Sequence, residues 1–477
     1  MEMMAPFLLN SLMNFAVALM VAKALGPSEY GRFMLALAVA VVFQTLVFDW
    51  LRLAATRFYA ERDRHERPEI RSTLDAAFAA LAGFAVLLSF SLWILRPCLP
   101  LAPDLAALAV GASLSNASFD VSAALLRARF QNRAYGALVI AKNGLALIFT
   151  VGGAFVFRSA EAALIGMMAS VAGAVVVARR TLIDPGTSFH KAEAARLRRY
   201  LAYGLPIILA AVLYQSVPLA NRALLSRLDG FAEVGLLSLA FETGVRVVGA
   251  VGSAIDVVLF QIAVHRETTL GADAGRAQIS RNLGVVFALL LPAVAGAWLI
   301  LPSFEALFAP RAFHGAFAAY FALMTPAFFA FGMLNYGVAT AFQLAHRLAP
   351  LVIAALVAVI ANLLSLALLP PAPGAARFAA AQSISSMSGL IALVTMLFLL
   401  EPVWPRARDI FGAIAATAVM IGAGLPLRAL PPGATTLSLQ LVVGAGVYGA
   451  LAFAFDIGGL RSVIGLPLSA LRRRRKA

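Results

Sequence analysis

The chain has 477 residues, of which 62% are hydrophobic and 13% charged, and its formal net charge is +15. Soluble domains carry about 25% charged residues, so this composition excludes an ordinary soluble protein. The apolar residues recur in blocks along the whole chain. Blocks of about 20 apolar residues match the roughly 30 Å hydrocarbon core of a bilayer. We therefore predict an all-α, polytopic integral membrane protein.

Several kinds of chemistry lack their sequence signals. The five histidines fall in or beside predicted loops, and none pairs with another at metal-ligand spacing, so we predict no metal site. The chain has no GxxxxGK[ST] phosphate loop, the motif typical of ATP hydrolysis. The single cysteine, Cys98, excludes an intramolecular disulfide. We predict no cofactor, no catalytic residue and no enzymatic activity.

Fourteen apolar segments, joined by short connections, predict about 14 transmembrane helices. The first is interpreted as a retained span although it ends in Ala22-Lys23-Ala24, because "MEMM" lacks the positive charge of a signal peptide. The predicted spans are 5–25, 33–55, 73–97, 104–126, 134–157, 161–178, 201–223, 234–263, 283–303, 315–342, 349–370, 376–400, 410–427 and 435–457.

The basic residues predict the orientation. Twenty-six lysines and arginines fall in connections after even-numbered spans and in the tail, against seven in the other connections. Because cytoplasmic loops are enriched in lysine and arginine, both termini are predicted to be cytoplasmic. Topology therefore accounts for most of the positive charge, aided at the tail by anionic lipid headgroups. Nucleic acid is not needed as a partner.

A short internal repeat suggests how the spans are organised. The segment "LGPSEYGRFMLALA" (25–38) resembles "LDGFAEVGLLSLAF" (228–241), and Glu29-Tyr-Gly31 falls over Glu233-Val-Gly235. The two copies lie six spans apart in the same orientation, which predicts two parallel, pseudo-symmetric six-helix bundles. The predicted divisions are a bundle at 1–180, a bundle at 181–400, and two further helices with a basic tail at 401–477.

Three patches resemble one family. The segment "ALGPSEYGRFMLALAV" resembles the first loop of the Wzx-like polysaccharide flippases of the multidrug/oligosaccharidyl-lipid/polysaccharide exporter superfamily. The segment "LLRARFQNRAYGALVIAKNGLAL" (125–147) is similar to their fourth-to-fifth span connection, and "AEVGLLSLA" (232–240) to its second-half counterpart. The chain departs from the family in its short polar lead and in having more than the twelve spans common in O-antigen flippases.

The resemblance implies two bundles arranged as a V around a cavity that opens alternately to each side of the bacterial inner membrane. The substrate it implies is an undecaprenyl-pyrophosphate-linked oligosaccharide for O-antigen, capsule or exopolysaccharide synthesis. A polysaccharide polymerase and a chain-length regulator are the implied protein partners. The lipid bilayer that surrounds the protein is a further partner.

Charged residues inside predicted spans are the candidate site residues. A charge at mid-bilayer costs about 2.5–3.5 kcal/mol, so each is expected to face a cavity or a partner. Arg246 lies twelve residues into its span, roughly 18 Å along the axis. Glu242 lies one turn earlier on the same face, in the favourable order for an ion pair. The alternative for this pair is a purely structural bridge between two helices.

Further candidates lie in the second, fourth, fifth, seventh and eighth spans. Asp49 and Arg52 share a helical face near the cytoplasmic boundary, where Arg52 can also simply reach the headgroups. The other candidates are Lys142 and Arg222 as substrate-binding cations, and Asp120 and Asp256 as ion-coupling or charge-pairing acids. Snorkelling is the alternative for Lys142, Arg222 and Lys23. Asn10, Asn14, Gln215 and Asn335 are expected to form interhelical hydrogen bonds.

Three other functions remain open. A peptidoglycan lipid flippase shares the fourteen spans and a cationic lumen. A cation-coupled multidrug antiporter of the same superfamily would favour an acidic pocket, whereas the deep charges in this chain have both signs. A membrane glycan polymerase or ligase would expose a large outer loop, and no connection in this sequence is that long.

Overall fold

The computed structural model describes residues 4–60, 63–96, 101–345, 347–401 and 403–459. Within these ranges the chain is helical and contains no β-strand, as predicted. The α-helices are α1 (Met4–Val47), α2 (Asp49–Phe58), α3 (Asp63–Glu66), α4 (Pro68–Leu95), α5 (Pro103–Ala128), α6 (Asn132–Ala146), α7 (Gly152–Phe157), α8 (Ala160–Leu182), α9 (Ala194–Leu228), α10 (Phe231–Leu270), α11 (Ala272–Phe308), α12 (Ala316–Met333), α13 (Ala339–Leu344), α14 (Ala349–Leu368), α15 (Ala376–Leu400), α16 (Ala407–Gly424) and α17 (Ala434–Phe455). Turns of π-helix at Leu147–Val151 and Leu334–Val338 join α6 to α7 and α12 to α13.

Twelve of the described helical segments are long and apolar enough to cross a membrane. Two differences separate this number from the fourteen predicted spans. The first predicted span and most of the second lie together in α1, which a kink at Gly26 divides into two helical parts, and α5 is not among the twelve. Helix α5 carries Asn116, Asp120 and several serines, which lower its apolar character. The chain is a multi-pass membrane protein, and the count of fourteen is approximate.

The boundary between the first two predicted spans is a kink inside α1. Gly26 has φ 71° and ψ 174°, outside the helical region, and Pro27 follows it. A positive φ is accessible to glycine at little cost, and a residue before proline is pushed out of the helical region. The Leu-Gly-Pro sequence therefore bends the chain where the sequence predicts the first loop.

The chain divides into two compact units. The first contains the described parts of Met1–Leu239 together with Ala372–Phe378, and the second those of Ala240–Pro371 and Ala379–Ala477. Large apolar side chains of α2, α4, α5, α6 and α9 form the core of the first unit. In the second unit, Phe317, Phe321 and Phe328 on α12 form a run of ring contacts. The bundle boundaries at 180 and 400 stay a prediction.

The internal repeat appears as the same contact made twice within the first unit. Glu29 Oε2 accepts a hydrogen bond from the backbone N–H of Ala160 at 3.0 Å, where α8 begins. Glu233 Oε2 accepts one from the backbone N–H of Ala375 at 3.1 Å, just before α15. A carboxylate satisfies an otherwise unpaired N–H at a helix start and interacts favourably with the helix dipole. The two glutamates of the repeat thus have equivalent roles, which supports the predicted pseudo-symmetric halves.

A buried ionic network joins three helix ends of the first unit. Arg129, after α5, pairs with Asp184, after α8, at 2.7 Å, and neither side chain is exposed (0% each). Arg129 also donates to the Tyr59 hydroxyl at 3.0 Å and to the Thr181 carbonyl at 2.7 Å. The Tyr59 hydroxyl in turn donates to Asp184. Burial, followed by the hydrogen bond to Asp184, raises the pKa of Tyr59, so its hydroxyl stays protonated and remains a donor. Charge counting along the sequence assigns Arg129 to a loop, and it does not predict this burial.

Replacing Arg129 by Ala should destabilise the protein strongly. The change would leave the Asp184 carboxylate buried without its charge partner, which costs about 3–5 kcal/mol. Thermal unfolding in detergent measures the effect. Arg96→Ala is the matched control, because Arg96 pairs with Asp104 at 3.7 Å with both side chains at least half exposed (65% and 50%). Exposed pairs contribute about 0–1 kcal/mol, so equal losses in the two variants would contradict the structural role of the network.

Candidate substrate-binding site

The acid–base pair of the second predicted span lies at a break between two helices. Helix α1 ends at Val47, and α2 begins at Asp49, so Asp49 occupies the first turn of a separate helix. An acid in this position is stabilised by the positive end of the helix dipole. Asp49 Oδ2 lies 3.6 Å from Arg52 Nη2, as the shared helical face predicts.

Arg52 is the more exposed member of this pair. Its side chain is 38% exposed, against 15% for Asp49. Its Nε is buried and has no hydrogen-bond acceptor among the described residues. An arginine has five N–H donors in a planar fork, and one ion pair with Asp49 leaves most of them available. Arg52 therefore retains donors for a further acceptor.

Asp120 of α5 lies close to the same pair. Gln44 of α1 donates to Asp120 Oδ2 at 2.7 Å. Arg52, Asp49 and Lys142 are all near enough to interact electrostatically with Asp120. Four predicted site residues, carried by α2, α5 and α6, are therefore brought together in the first unit. We refer to Asp49, Arg52, Asp120 and Lys142 with Gln44 as the charged cluster.

Lys142 lies over an aromatic ring within the cluster. Its Nζ is 4.7 Å from the centre of the Phe119 ring. A cation over a ring face gains about 0.5–2 kcal/mol, the larger value when it is desolvated. Phe119 and Asp120 are neighbours in sequence, so the contact holds the ammonium beside α5.

Polar contacts extend from the cluster to α9. Gln215 Nε2 donates to Thr45 Oγ1 at 3.2 Å, and Thr45 is adjacent to Gln44 in α1. The interhelical hydrogen bond predicted for Gln215 is thus confirmed. The same prediction for Asn335 is wrong, because its side-chain amide donates to the Phe331 carbonyl of its own helix at 2.9 Å. Sequence reasoning missed Gln44 and Thr45, although both polar residues sit within the apolar run before Asp49.

The remaining predicted residues of the first unit lie on α9 and α1. Arg222 is buried with 6% exposure, in α9 four residues beyond Pro218. Lys23, which was assigned the same snorkelling alternative, is exposed. Snorkelling therefore fits Lys23 but not the buried side chain of Arg222. Asn10 has a side chain outside the described ones.

Arg246 and Glu242 lie on α10 in the second unit. Both side chains are half-buried. Glu242 has an interaction partner in the structure. Arg246 Nε is buried without a hydrogen-bond acceptor in the described part of the chain. The Arg246–Glu242 pair, which was inferred from spacing, stays a prediction.

Arg246 lies on the side of α10 that faces away from α12. Gly244 and Gly252 lie against the rings of Phe328 and Tyr336, so this face of α10 contacts α12 and the π-helical turn after it. At about 100° per residue, Arg246 and Glu242 lie on the other side of α10. Asp256 falls on the same helix, but its side chain is outside the described ones.

The second unit also contains an apolar cavity that sequence reasoning missed. Its volume is about 390 Å³, and it is bordered by α10, α11, α12, α16 and α17. Its lining includes Thr243, Val247, Gly296, Phe304, Gly444 and Tyr448. The small residues Gly296 and Gly444 leave the space open, a weak signal within otherwise apolar helices. Thr243 and Val247 are carried by α10, the helix that also carries Arg246.

No group of three or more metal-ligating side chains occurs among the residues that the structure describes. The charges of both units are instead those of arginine, lysine, aspartate and glutamate in membrane helices.

Comparison with solved structures identifies the fold. The lipid II flippase MurJ in an inward closed conformation matches with a TM-score of 0.72 at 14% identity, over 97% of this chain and 99% of that one. An inward-facing multidrug resistance MATE family transporter of the MOP superfamily matches with a TM-score of 0.59 at 14% identity, over 83% and 95%. A mutant of the Vibrio cholerae MATE transporter VcmN gives 0.56 at 15% identity, over 84% and 96%. At these identities the likeness shows the fold alone.

Sequence comparison gives the family. None of the curated protein sequences matches the chain. The family model described as "Polysaccharide biosynthesis protein" matches residues 4–260, more than half of the chain and including the whole charged cluster. The predicted resemblance is thus confirmed, and the chain belongs to the polysaccharide biosynthesis protein family, with the fold of the MOP-superfamily flippases and transporters.

Proposed function

We propose that this protein is a flippase that moves undecaprenyl-pyrophosphate-linked oligosaccharide units across the bacterial inner membrane, for O-antigen, capsule or exopolysaccharide synthesis. The observation that carries the proposal is the charged cluster: two cations, Arg52 and Lys142, lie within electrostatic range of Asp120 on neighbouring helices of the first unit. The family assignment supports the same pathway. The protein acts by alternating access, without covalent catalysis.

The cluster contains more hydrogen-bonding capacity than its own contacts use. Placing a charge in the membrane costs about 2.5–3.5 kcal/mol, and a purely structural pair would recover this by satisfying its groups internally. Arg52 has one ion pair at 3.6 Å, a buried Nε without an acceptor, and a partly exposed side chain. Arg246 in the second unit also has a buried Nε without an acceptor among the described residues. These donors are available to a ligand that brings its own oxygens.

A diphosphate is the ligand chemistry that fits such donors. Guanidinium groups bind phosphate oxygens through two parallel hydrogen bonds, and lysine binds them as a point charge. The cations would replace the water that the diphosphate loses on leaving the membrane surface. Arg52 and Lys142 therefore bind the diphosphate in the first unit, and we assign Arg222 and Arg246 as further phosphate-binding cations.

The acids of the cluster make release possible. Asp49 and Asp120 compete with the diphosphate for the same cations, so binding stays reversible. Asp120 accepts from Gln44 through one oxygen, and its second oxygen can take a proton or a cation when the headgroup leaves. In this proposal Asp49, Asp120, Glu242 and Asp256 are the charge-pairing and ion-coupling acids. The membrane potential contributes a further drive, about 2.3 kcal/mol per charge per 100 mV.

The polyprenyl chain needs apolar surroundings throughout transport. The cavity of about 390 Å³ in the second unit is lined almost wholly by apolar groups. A polyprenyl segment fits this space. The sugars, by contrast, leave no recognisable motif in the sequence.

Two other transport functions compete with the proposal. A peptidoglycan lipid flippase would use the same diphosphate chemistry, and the match to MurJ supports that fold. A multidrug antiporter is supported by the likeness to the MATE family transporters. The cations of the charged cluster favour an anionic headgroup over a cationic drug. A polysaccharide polymerase and a chain-length regulator are the proposed partners in the membrane.

Replacing Arg52 or Arg246 by Gln should slow transport by roughly ten- to hundredfold, because each removes a charge-assisted hydrogen bond of about 1.5–3 kcal/mol. Arg→Lys variants should recover only part of the rate, because lysine lacks the planar fork. Flipping of a fluorescent undecaprenyl-pyrophosphate oligosaccharide in proteoliposomes measures the rate. Arg96→Gln, in the exposed pair with Asp104, is the matched control. Wild-type rates in both folded Gln variants would refute the site assignment.

Overproduction in a drug-sensitive bacterium should leave the tolerated concentration of cationic dyes unchanged. The two cations of the charged cluster balance its two acids, so the cluster lacks the net negative charge that would bind a cationic dye, and the protein should not export such dyes. Growth inhibition by a dye series measures this, with empty vector as the control. Several-fold protection that disappears in an Asp120→Asn variant would instead support the antiporter function.

A further inference from the structure

The two copies of the Glu-x-Gly repeat touch each other, and both lie in the first unit. A Cβ atom on Gly31 would lie 1.9 Å from the carbonyl oxygen of Phe231 and 2.9 Å from the nitrogen of Gly235. A Cβ atom on Gly235 would lie 2.0 Å from the carbonyl oxygen of Pro27 and 3.1 Å from the nitrogen of Gly31. The contact is reciprocal: each glycine sits on the backbone one turn before the other. We call it the glycine crossing.

Only glycine fits on either side of the glycine crossing. The nearest atoms are backbone atoms, which cannot move aside as the end of a flexible side chain can. Small residues that allow two helix backbones to approach closely are a recognised packing device in membranes. In this chain the device joins the start of the second predicted span to the start of the eighth, at the ends that the arginine distribution predicts to face outward.

On each side of the crossing, the loop forms a hydrogen bond to a helix start within its own repeat. Glu29 holds the start of α8, and Glu233 holds the segment before α15. Arg32 adds an ion pair to Glu29 at 3.1 Å and one to Glu161 at 3.8 Å. Polar contacts therefore link each repeat loop to the last helix of its own six-helix repeat.

Contacts across the crossing are of a weaker kind. No backbone hydrogen bond joins Pro27–Gly31 to Phe231–Gly235 among the described residues. Close packing of the two glycines is supplemented by the Arg32 guanidinium, which lies 6.0 Å from the centre of the Phe231 ring. Such a contact is specific in shape, and no hydrogen bond between the two described backbone segments must be broken to separate them. Each loop can separate from the other while keeping its glutamate contact.

We propose that the glycine crossing is a reversible closure on the outer side of the transport path: it is formed in this conformation and separates when the glycan is released. This inference rests on the proposed function. Gly31 and Gly235 are then gating residues, while Glu29 and Glu233 couple each loop to the helix that moves with it.

Gly31→Ala and Gly235→Ala should prevent the closure and expose residues just inside it. Ala38 is buried with 8% exposure and lies two helical turns beyond Gly31 on the same face. An Ala38→Cys reporter, in a chain where Cys98 is replaced by Ser, is treated from outside with a membrane-impermeant maleimide. We expect labelling to be roughly tenfold faster in either Ala variant. Gly83→Ala and Gly144→Ala are the controls, because a Cβ at either position meets nothing within 4 Å.

The labelling needs no substrate, so its outcome does not depend on the proposed function. Unchanged labelling in both folded variants would overturn the closure. Should an Ala variant fail to fold, cross-linking of the otherwise intact crossing provides the second test.

For the second test, Arg32→Cys and Phe231→Cys are combined and bridged with a reducible bifunctional thiol reagent, because the native Arg32 and Phe231 side chains lie against each other across the crossing. Bridging should stop flipping in proteoliposomes, keep binding of the lipid-linked glycan from the inner side, and be reversed by reduction. Each single-cysteine variant, treated identically, is the control. Flipping by the bridged protein at the control rate would overturn the proposal. Absence of flipping in the untreated parent would instead refute the proposed function, and labelling would still decide on the closure.

Discussion

A polar group in the hydrocarbon core of a membrane cannot form hydrogen bonds with water, so it needs a partner within the protein. This constraint governs the polar residues of this chain. Many serines and threonines satisfy it with a carbonyl one turn earlier in their own helix, and other side chains satisfy it through another helix. Gln44 donates to Asp120, Gln215 to Thr45, and Tyr448 to the Ala288 carbonyl. The guanidinium groups of Arg52 and Arg246 each contain a buried Nε without an acceptor among the described residues, a condition shared by the Arg377 Nε and the Tyr214 hydroxyl. An uncompensated buried donor is costly, and the proposed function assigns the missing oxygens of Arg52 and Arg246 to a ligand.

The internal repeat accounts for duplicated helix contacts, but the charged residues of the two copies are not at equivalent positions. Glu29 and Glu233 make equivalent contacts, and Gly31 and Gly235 pack reciprocally, so the duplicated sequence builds duplicated structure. In the register that superposes these pairs, Val42 falls on Arg246, and Arg52 falls on Asp256. The two repeats therefore carry their arginines at different depths, about ten residues or 15 Å apart along the helix. A long, asymmetric glycolipid is a substrate for which such a divergence between halves is useful.

Those parts of the structure that depend on composition and local backbone rules could be predicted from sequence. Helix α15 spans 376–400 as predicted, and the turn at Gly26-Pro27 follows from the backbone preferences of its two residues.

The break between Val47 and Asp49 was not foreseen, because residues 33–55 read as one uninterrupted apolar span. Arg129 was assigned to a loop by charge counting, which does not register burial against Asp184. The partners of Asp120 and the cavity lined by Gly444 depend on which helices are neighbours in space, and no single-sequence pattern contains that information.

The central claim is that the intramembrane cations recognise the phosphate charge of a lipid-linked glycan, and not its sugars or tail alone. The most direct measurement compares binding of three lipids to the purified wild-type protein: a polyprenyl diphosphate glycan, its monophosphate counterpart and the uncharged polyprenyl glycan. If the account is correct, the dissociation constant rises at each loss of phosphate, by roughly tenfold or more between the diphosphate and the uncharged lipid. Equal affinity for all three lipids would contradict it.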